Sequence, residues 1–375
     1  MELKYGFISA DDHVQEHANV WTSRMSKTKW GSRIPHIERQ SDGNDCWVVN
    51  DSIRYPMRVV VAALTATRGK EPTQWDDVPE SAYKPDERLK AMDADQTDYS
   101  VLYPTLGGVA GEVFGQIDDS DLELACVRAY NDWLIDEWVS VSPRFIAQCI
   151  VPLWPVKHTV EEIKRAVGRG HKGVIYPASP MELRSVPHIN DPSYDPLWAI
   201  CEELNVPICF HAGGSSKIQL RAGDEFSPRA AAAFSSIVRS VSSIAVLANF
   251  LFSRVLYRFP NLKVVFAESS LGWGAYEMEY ADYQSDADGL KTEGYNMRPS
   301  ELFKRQCFLT CSYDHISLRV RDYCGISNIL WSSHFPMATT TWPETRRRIE
   351  QSFESLGEEE KSRILWQNAA ELYSL

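Results

Sequence analysis

Asp11 and His13 carry the sharpest chemical signal in this chain, because they stand two apart where an apolar run ends. Alternate side chains of a strand share a face, so the two would point the same way, with Asp12 turned from them. An imidazole nitrogen beside a carboxylate oxygen suits Zn²⁺, Mn²⁺ or a similar divalent ion. Two further histidines hold comparable positions. His211 follows the run Val206–Phe210 and precedes Ala212, Gly213 and Gly214, small residues that leave room for a ligand. His334 follows Ile329–Ser333 and precedes Phe335-Pro336. A lone histidine is more often a hydrogen-bonded structural residue, but three metal-competent positions at the ends of three apolar runs support one another. Glu268 ends the run Val264–Ala267. Desolvation would raise its proton affinity and a nearby cation would lower it; either makes it a candidate proton carrier. The structural alternative is an acceptor for a backbone or tyrosine donor. Glu16 is either a partner that orients an imidazole or a cap for the segment after it.

These residues need a scaffold that brings distant segments together. Eight short apolar runs punctuate the chain: Tyr5–Asp11, Tyr99–Pro104, Phe145–Val151, Gly173–Pro177, Val206–Phe210, Lys263–Ala267, Cys307–Cys311 and Asn328–Ser332. Helix-length amphipathic segments alternate with them, including Asp119–Val139, Thr159–Arg169, Tyr194–Leu204, Arg229–Arg258, Leu271–Asp288, Pro343–Leu356 and Glu358–Leu372. Alternation of this kind predicts parallel strands with crossover helices, an α/β chain folded as a (β/α)₈ TIM barrel. The strand C-termini of such a barrel converge on one face, where its chemistry is found. Thr159 is expected to cap its helix, with Glu161 and Glu162 in the first turn. The apolar residues of Arg229–Arg258 predict a helix buried on both sides. The spacing predicts one domain over residues 1–375, with 20–84 a long insertion after the first strand that caps the barrel mouth or makes an oligomer contact. Within it, Cys46–Val49 and Arg54–Val61 predict a hairpin turning at Asn50-Asp51-Ser52.

The bulk numbers exclude some classes. The net charge is −12. The basic runs, Lys164-Arg165 and Arg346-Arg347-Arg348, are short and sit in helical patterns, so no nucleic-acid partner is expected. Eight cysteines are scattered without a CxxC pair, which suits a reducing compartment. With no signal-peptide pattern and no apolar stretch judged long enough to span a bilayer, a cytoplasmic protein without a membrane partner is expected. Gly213-Gly214-Ser215-Ser216 lacks the lysine of a phosphate loop and reads as close packing. Ser269 and Ser270 lack a nucleophile elbow. Arg54, Arg58 and Arg221 are candidates to hold a substrate carboxylate.

The motifs, taken in order, resemble the amidohydrolase superfamily, in the branch that contains aminocarboxymuconate-semialdehyde decarboxylase and the γ-resorcylate and related aromatic-acid decarboxylases. The residues that carry the resemblance are Ile8–Glu16, Arg88–Asp98 with Val101–Thr105, Asp191–Trp198 with Val206–Gly213, Arg258–Glu268, and Asn328–Pro336 with Trp342-Pro343. The resemblance implies a barrel with one divalent ion, Zn²⁺ first and Mn²⁺ second, and a homodimer. Asp11 and His13 match the paired ligands of the first strand, and His211 the histidine of the fifth. Two positions depart from the pattern. His334 stands where the branch has a metal-touching aspartate, and Glu268 where its decarboxylases typically carry histidine. His334 then acts as a fourth ligand, or as a free acid or base, or its presence abolishes metal binding. The implied function is metal-dependent action on a small-molecule substrate, an aromatic carboxylic acid or derivative, by non-oxidative decarboxylation or hydrolysis. Glu268 and His334 are the expected proton carriers. A biosynthetic cyclodehydratase or lyase using the same site, and an inactive barrel serving as a binding protein, are the alternatives.

Overall fold

A computed structural model describes residues 1–57, 72–214 and 225–375. Eight parallel strands form one sheet in the order β1-β5-β6-β7-β8-β9-β10-β11: β1 (Ile8–His13), β5 (Tyr99–Tyr103), β6 (Phe145–Ile150), β7 (Gly173–Ile175), β8 (Ile208–His211), β9 (Val264–Ala267), β10 (Cys307–Cys311) and β11 (Ile329–Trp331). Each lies on an expected apolar run. The boundaries differ most at β1, which extends to His13, so Asp11 and His13 lie inside the strand. The two ends of the sheet meet through the segment after β11. The His13 N–H donates to the Phe335 carbonyl at 2.8 Å, and the His334 N–H to the Asp11 carbonyl at 3.1 Å. This nearly closed (β/α)₈ barrel is the predicted architecture, and both faces of its strands are buried, as crossover helices require.

The principal helices are α1 (Pro85–Ala94), α2 (Ser120–Trp133), α3 (Val156–Gly168), α4 (Asp195–Glu203), α5 (Pro228–Phe252), α6 (Gly272–Ala287), α7 (Pro299–Gln306) and α8 (Thr345–Ser352). Asp119 caps α2 by accepting from the Asp121 and Leu122 amides. Thr159 does not cap α3: the helix starts at Val156, and the buried Thr159 hydroxyl donates to the Pro152 carbonyl at 2.7 Å. Its neighbour Glu162 is equally buried, where Arg128, Arg165 and Asn131 satisfy it. Helix α7 has no counterpart among the expected helices, since its charged outer face masks a short apolar stripe of Leu302 and Phe303.

The long apolar helix α5 departs from expectation. Its C-terminal half packs into the barrel wall, with Phe250 against Phe210 and Trp198 at ring separations of 5.1 and 5.7 Å. Nearer its start, Ile237 is 74% exposed and Val241 43%. Within it Ala233–Phe252 is long and apolar enough to cross a membrane by length and composition, which corrects the expectation that no such stretch exists. Leu247, Phe250 and Leu251 of this stretch are buried in the core around the barrel, and a core helix can share the length and composition of a membrane span.

Between β1 and β5 lies a three-stranded antiparallel sheet of β2 (His36–Arg39), β3 (Asp45–Val49) and β4 (Ile53–Pro56). Val49 pairs with Ile53, so the chain turns through Asn50, Asp51 and Ser52, and Asn50 and Asp51 take φ of 51° and 62°, left-handed values that Asn and Asp tolerate. The expected strand beyond residue 57 lies outside the described residues, and β2 is an unexpected third member. Trp47 of β3 stacks edge-on against Trp21 at 5.8 Å, tying this sheet to the core that surrounds β1 and β5.

All eight cysteines are free and buried, acting as small hydrophobes. One buried group makes stability depend on pH. Glu277 of α6 is 7% exposed, and burial pushes its carboxyl up to about 8, outweighing a contact with the Ala248 backbone. Because the folded value is raised, its contribution is complete below the ordinary carboxylate range and is lost as pH rises towards 8. Glu277→Gln removes that loss. The variant should gain on the order of 3 kcal/mol over the parent between pH 5 and pH 8, read as a widening difference in Tm. A difference that stays constant over this range would show that Glu277 ionises as it does in the unfolded chain.

Candidate metal centre

Four side chains from three strand ends meet at the barrel mouth. One ligand atom from each of Asp11, His13, His211 and His334 lies within 4.8 Å of the others, and all four residues are buried. His13 Nε2 is 3.5 Å from Asp11 Oδ1, as is His211 Nε2, and the two Nε2 atoms are 3.2 Å apart. Each imidazole is oriented through its other nitrogen. His13 Nδ1 meets the Pro104 carbonyl at 3.1 Å, His211 Nδ1 the Ala212 carbonyl at 2.9 Å, and His334 Nδ1 the Thr339 hydroxyl at 2.5 Å. A carbonyl only accepts, so at His13 and His211 it fixes the tautomer that presents a bare Nε2, the usual support for a metal-binding histidine. Both carboxylate oxygens of Asp11 and the Nε2 of His334 are buried without a hydrogen-bond partner. Buried polar atoms of this kind cost free energy unless something pairs with them, and three nitrogens with one carboxylate are donors that a divalent ion accepts.

The electrostatics agree. Burial alone would raise the Asp11 carboxyl, but the surrounding imidazoles of His211, His334 and His13 outweigh it and hold Asp11 well below the usual carboxylate range. Burial drives His13 far below the ordinary imidazole value. At His211 the same burial is overcome by Asp11 and then Glu268, which raise it. A divalent ion between the rings would favour the neutral form of both.

Asp12 points away from this centre but not to solvent, because it is 2% exposed. It accepts from the hydroxyls of Ser9, Ser100 and Ser333 and from the Phe335 amide, all between 2.5 and 2.9 Å. The buried Arg88 guanidinium lies alongside and donates to the His13 carbonyl at 2.7 Å. This network clamps the end of β1 to the segment after β11. Glu16 turns out to hold backbone rather than an imidazole. It accepts from the amides of Thr105, Leu106 and Gly107, and burial pushes it up to about 7.

Glu268, just past β9, faces the quartet: its Oε1 is 3.5 Å from His334 Nε2, and its Oε2 is 3.9 Å from His211 Nδ1. Arg239 of α5 holds it, with Nη1 at 2.8 and 2.7 Å from the two oxygens. Glu268, Ser270 and His334 have φ of 50°, 59° and 59°. Non-glycine residues seldom adopt such values, and they persist where surrounding structure enforces them. Arg239 was not anticipated. The available signal was its isolation as the lone charge between residues 230 and 252. Of the anticipated arginines, Arg54 is engaged with Glu38 at 2.8 Å on the three-stranded sheet, while Arg58 and Arg221 lie outside the described residues. Gly214 fits the close-packing reading, since a Cβ there would come within 2.4 Å of Ala110; Ser215 and Ser216 are outside the described residues. Asp314 pins backbone, accepting from the Leu271 and Ser312 amides, and Ser269 donates to the Phe266 carbonyl.

A cavity of about 380 Å³ opens beside the centre, lined in part by Glu268, Thr310, Tyr313 and His334. That is room for a small molecule.

A family model described as Amidohydrolase matches residues 15–375, so Asp11 and His13 fall just before the matched span. No curated protein matches the chain. Solved structures share the fold at low identity. An amidohydrolase from Mycobacterium avium subsp. paratuberculosis K-10 is 22% identical, with 99% of this chain and 100% of that one covered at a TM-score of 0.75. The 5-carboxyvanillate decarboxylase of Sphingomonas paucimobilis is 18% identical over 99% and 100%, at 0.68. A dihydroxybenzoic acid decarboxylase from Polaromonas sp. JS666, solved with manganese and the inhibitor 2-nitroresorcinol, is 18% identical over 99% and 98%, at 0.65.

Proposed function

This chain belongs to the amidohydrolase family, and from that premise we propose that it is a metal-dependent lyase acting on a small, oxygenated aromatic carboxylic acid by non-oxidative decarboxylation. The observation that carries the reading is the convergence of Asp11, His13, His211 and His334 with the buried oxygens of Asp11 unpaired. An inactive binding barrel would have no use for that costly arrangement. The four residues would hold one divalent ion. Three imidazoles and a carboxylate suit zinc, and manganese is the ion named with two of the structural neighbours. When bound, the ion supplies Lewis acidity and a fixed positive charge for oxygens of the substrate.

The chain's own groups do the rest. Glu268 is placed to carry the proton that the ring carbon must receive before carbon dioxide leaves. Arg239 fixes its carboxylate in one position, so that proton transfer does not wait on a side-chain rotation. Thr339 fixes the His334 ring through Nδ1, leaving Nε2 facing both the centre and Glu268. The same proposal takes residues 1–375 as one domain, working as a homodimer in the cytoplasm; the exposed Tyr276, Tyr280 and Tyr283 of α6 and the eight free cysteines support those two parts.

Incubation of the Zn²⁺- and Mn²⁺-loaded protein with a panel of hydroxybenzoates, and with their amides and lactones, tests the reaction. Carbon dioxide release from a free acid is the expected result. Acid production from amides or lactones, without carbon dioxide from any member, would replace decarboxylation with hydrolysis.

A further inference from the structure

Strand β10 contributes no residue to the quartet, yet it carries a polar group to the same mouth. Along β10, Cys307, Leu309 and Cys311 pack into the apolar layer beneath the helices. Alternation turns Phe308 and Thr310 the other way, towards the barrel interior. Thr310 is 1% exposed, lines the cavity beside Glu268 and His334, and its Oγ1 has no hydrogen-bond partner. Four other hydroxyls of that lining are already engaged, and Ser236 and Ser270 are exposed to solvent. Ser312 meets the Ser332 carbonyl at 2.9 Å, Tyr313 the Thr340 carbonyl at 3.0 Å, Ser240 the Ile237 carbonyl at 3.1 Å and Thr339 the His334 ring. A buried hydroxyl left alone is a cost with no structural return, and valine would fill the same volume without it.

We propose that Thr310 is a specificity-determining residue: its hydroxyl hydrogen-bonds an oxygen substituent of the substrate in the cavity beside Glu268 and His334. The proposal rests on the reading of the quartet as the place where reaction occurs, and it adds which part of the substrate is selected. A site that hydrogen-bonds a substrate oxygen rejects the analogue lacking it, because its own buried group is then left unpaired. The pocket is therefore selective for a molecule carrying a second oxygen substituent beyond those that face the ion. Thr310 acts on recognition and not on the reacting bond.

The test uses the full chain loaded with Mn²⁺ and two probes that differ by one hydroxyl, 2-nitroresorcinol and 2-nitrophenol, titrated by calorimetry. The parent should bind the dihydroxy probe at least about tenfold more tightly. Thr310→Val should reduce that preference to about twofold or less, while Thr310→Ser should retain most of it. Mn²⁺ content should match the parent in both variants, and the Tm of Thr310→Val should not fall, since the change removes an unpaired buried hydroxyl. A parent without the preference, a valine variant that keeps it, or failure of both probes to bind overturns the inference. If the chain takes up neither Mn²⁺ nor Zn²⁺, the reading of the quartet fails by that measurement alone. The same titrations on the metal-free chain then decide the Thr310 inference, which a missing preference overturns there as well.

Discussion

His211→Ala is expected to strip the ion from the protein and to lower kcat/KM by about 10³-fold or more, a loss of ~4 kcal/mol in transition-state stabilisation. His211 presents Nε2 3.2 Å from that of His13 and 3.5 Å from Asp11, so its removal takes one of four donors from the site. Elemental analysis after purification without added metal reads the first effect, and steady-state kinetics on the best substrate of the panel reads the second. Because the residue is buried, His211→Gln should accompany it, keeping side-chain volume and a polar end while removing the imidazole. A variant that retains a full complement of ion, with activity within about tenfold of the parent, would remove the quartet from the mechanism.

Glu268→Gln should produce a different signature: kcat lower by roughly 10²–10³-fold with metal content unchanged. The carboxylate lies 3.5 Å from His334 Nε2 and outside the quartet, so its loss should leave the ion in place. Glutamine keeps the shape but cannot carry the proton. A purely structural role predicts another pattern. If Glu268 mattered only by holding Arg239, then Arg239→Met would reproduce the full loss of kcat. On the proton-carrier reading that variant falls by less, because the carboxylate is still present but less well fixed. A Glu268→Gln enzyme with parental kcat would exclude the carboxylate as the proton carrier, leaving His334 as the other group at that place.

The fold was legible because its signals are local. Each barrel strand is a short, mainly apolar run, and burial on both faces keeps the polar residues in it few. The convergence of Asp11, His13, His211 and His334 could be anticipated because all four stand at or near strand ends, and strand ends are visible in the chain. The hairpin at Asn50-Asp51 was legible for the same reason, since turn chemistry is written in adjacent residues. Thr159 misled, because a threonine near a helix start can satisfy a neighbouring turn as easily as the helix end.

What the amino-acid order determined by itself was the list of strands and the types of residue able to bind a metal. Only the tertiary structure decided that Arg239 faces Glu268, that Asp12 serves a serine network, that Glu16 holds a loop and that the Thr310 hydroxyl is left unpaired. Those outcomes depend on which groups approach from segments tens to hundreds of residues away, as with Ser333 on Asp12. Periodicity reports the face a side chain takes on its own element, and it carries no information on what the neighbouring element presents there.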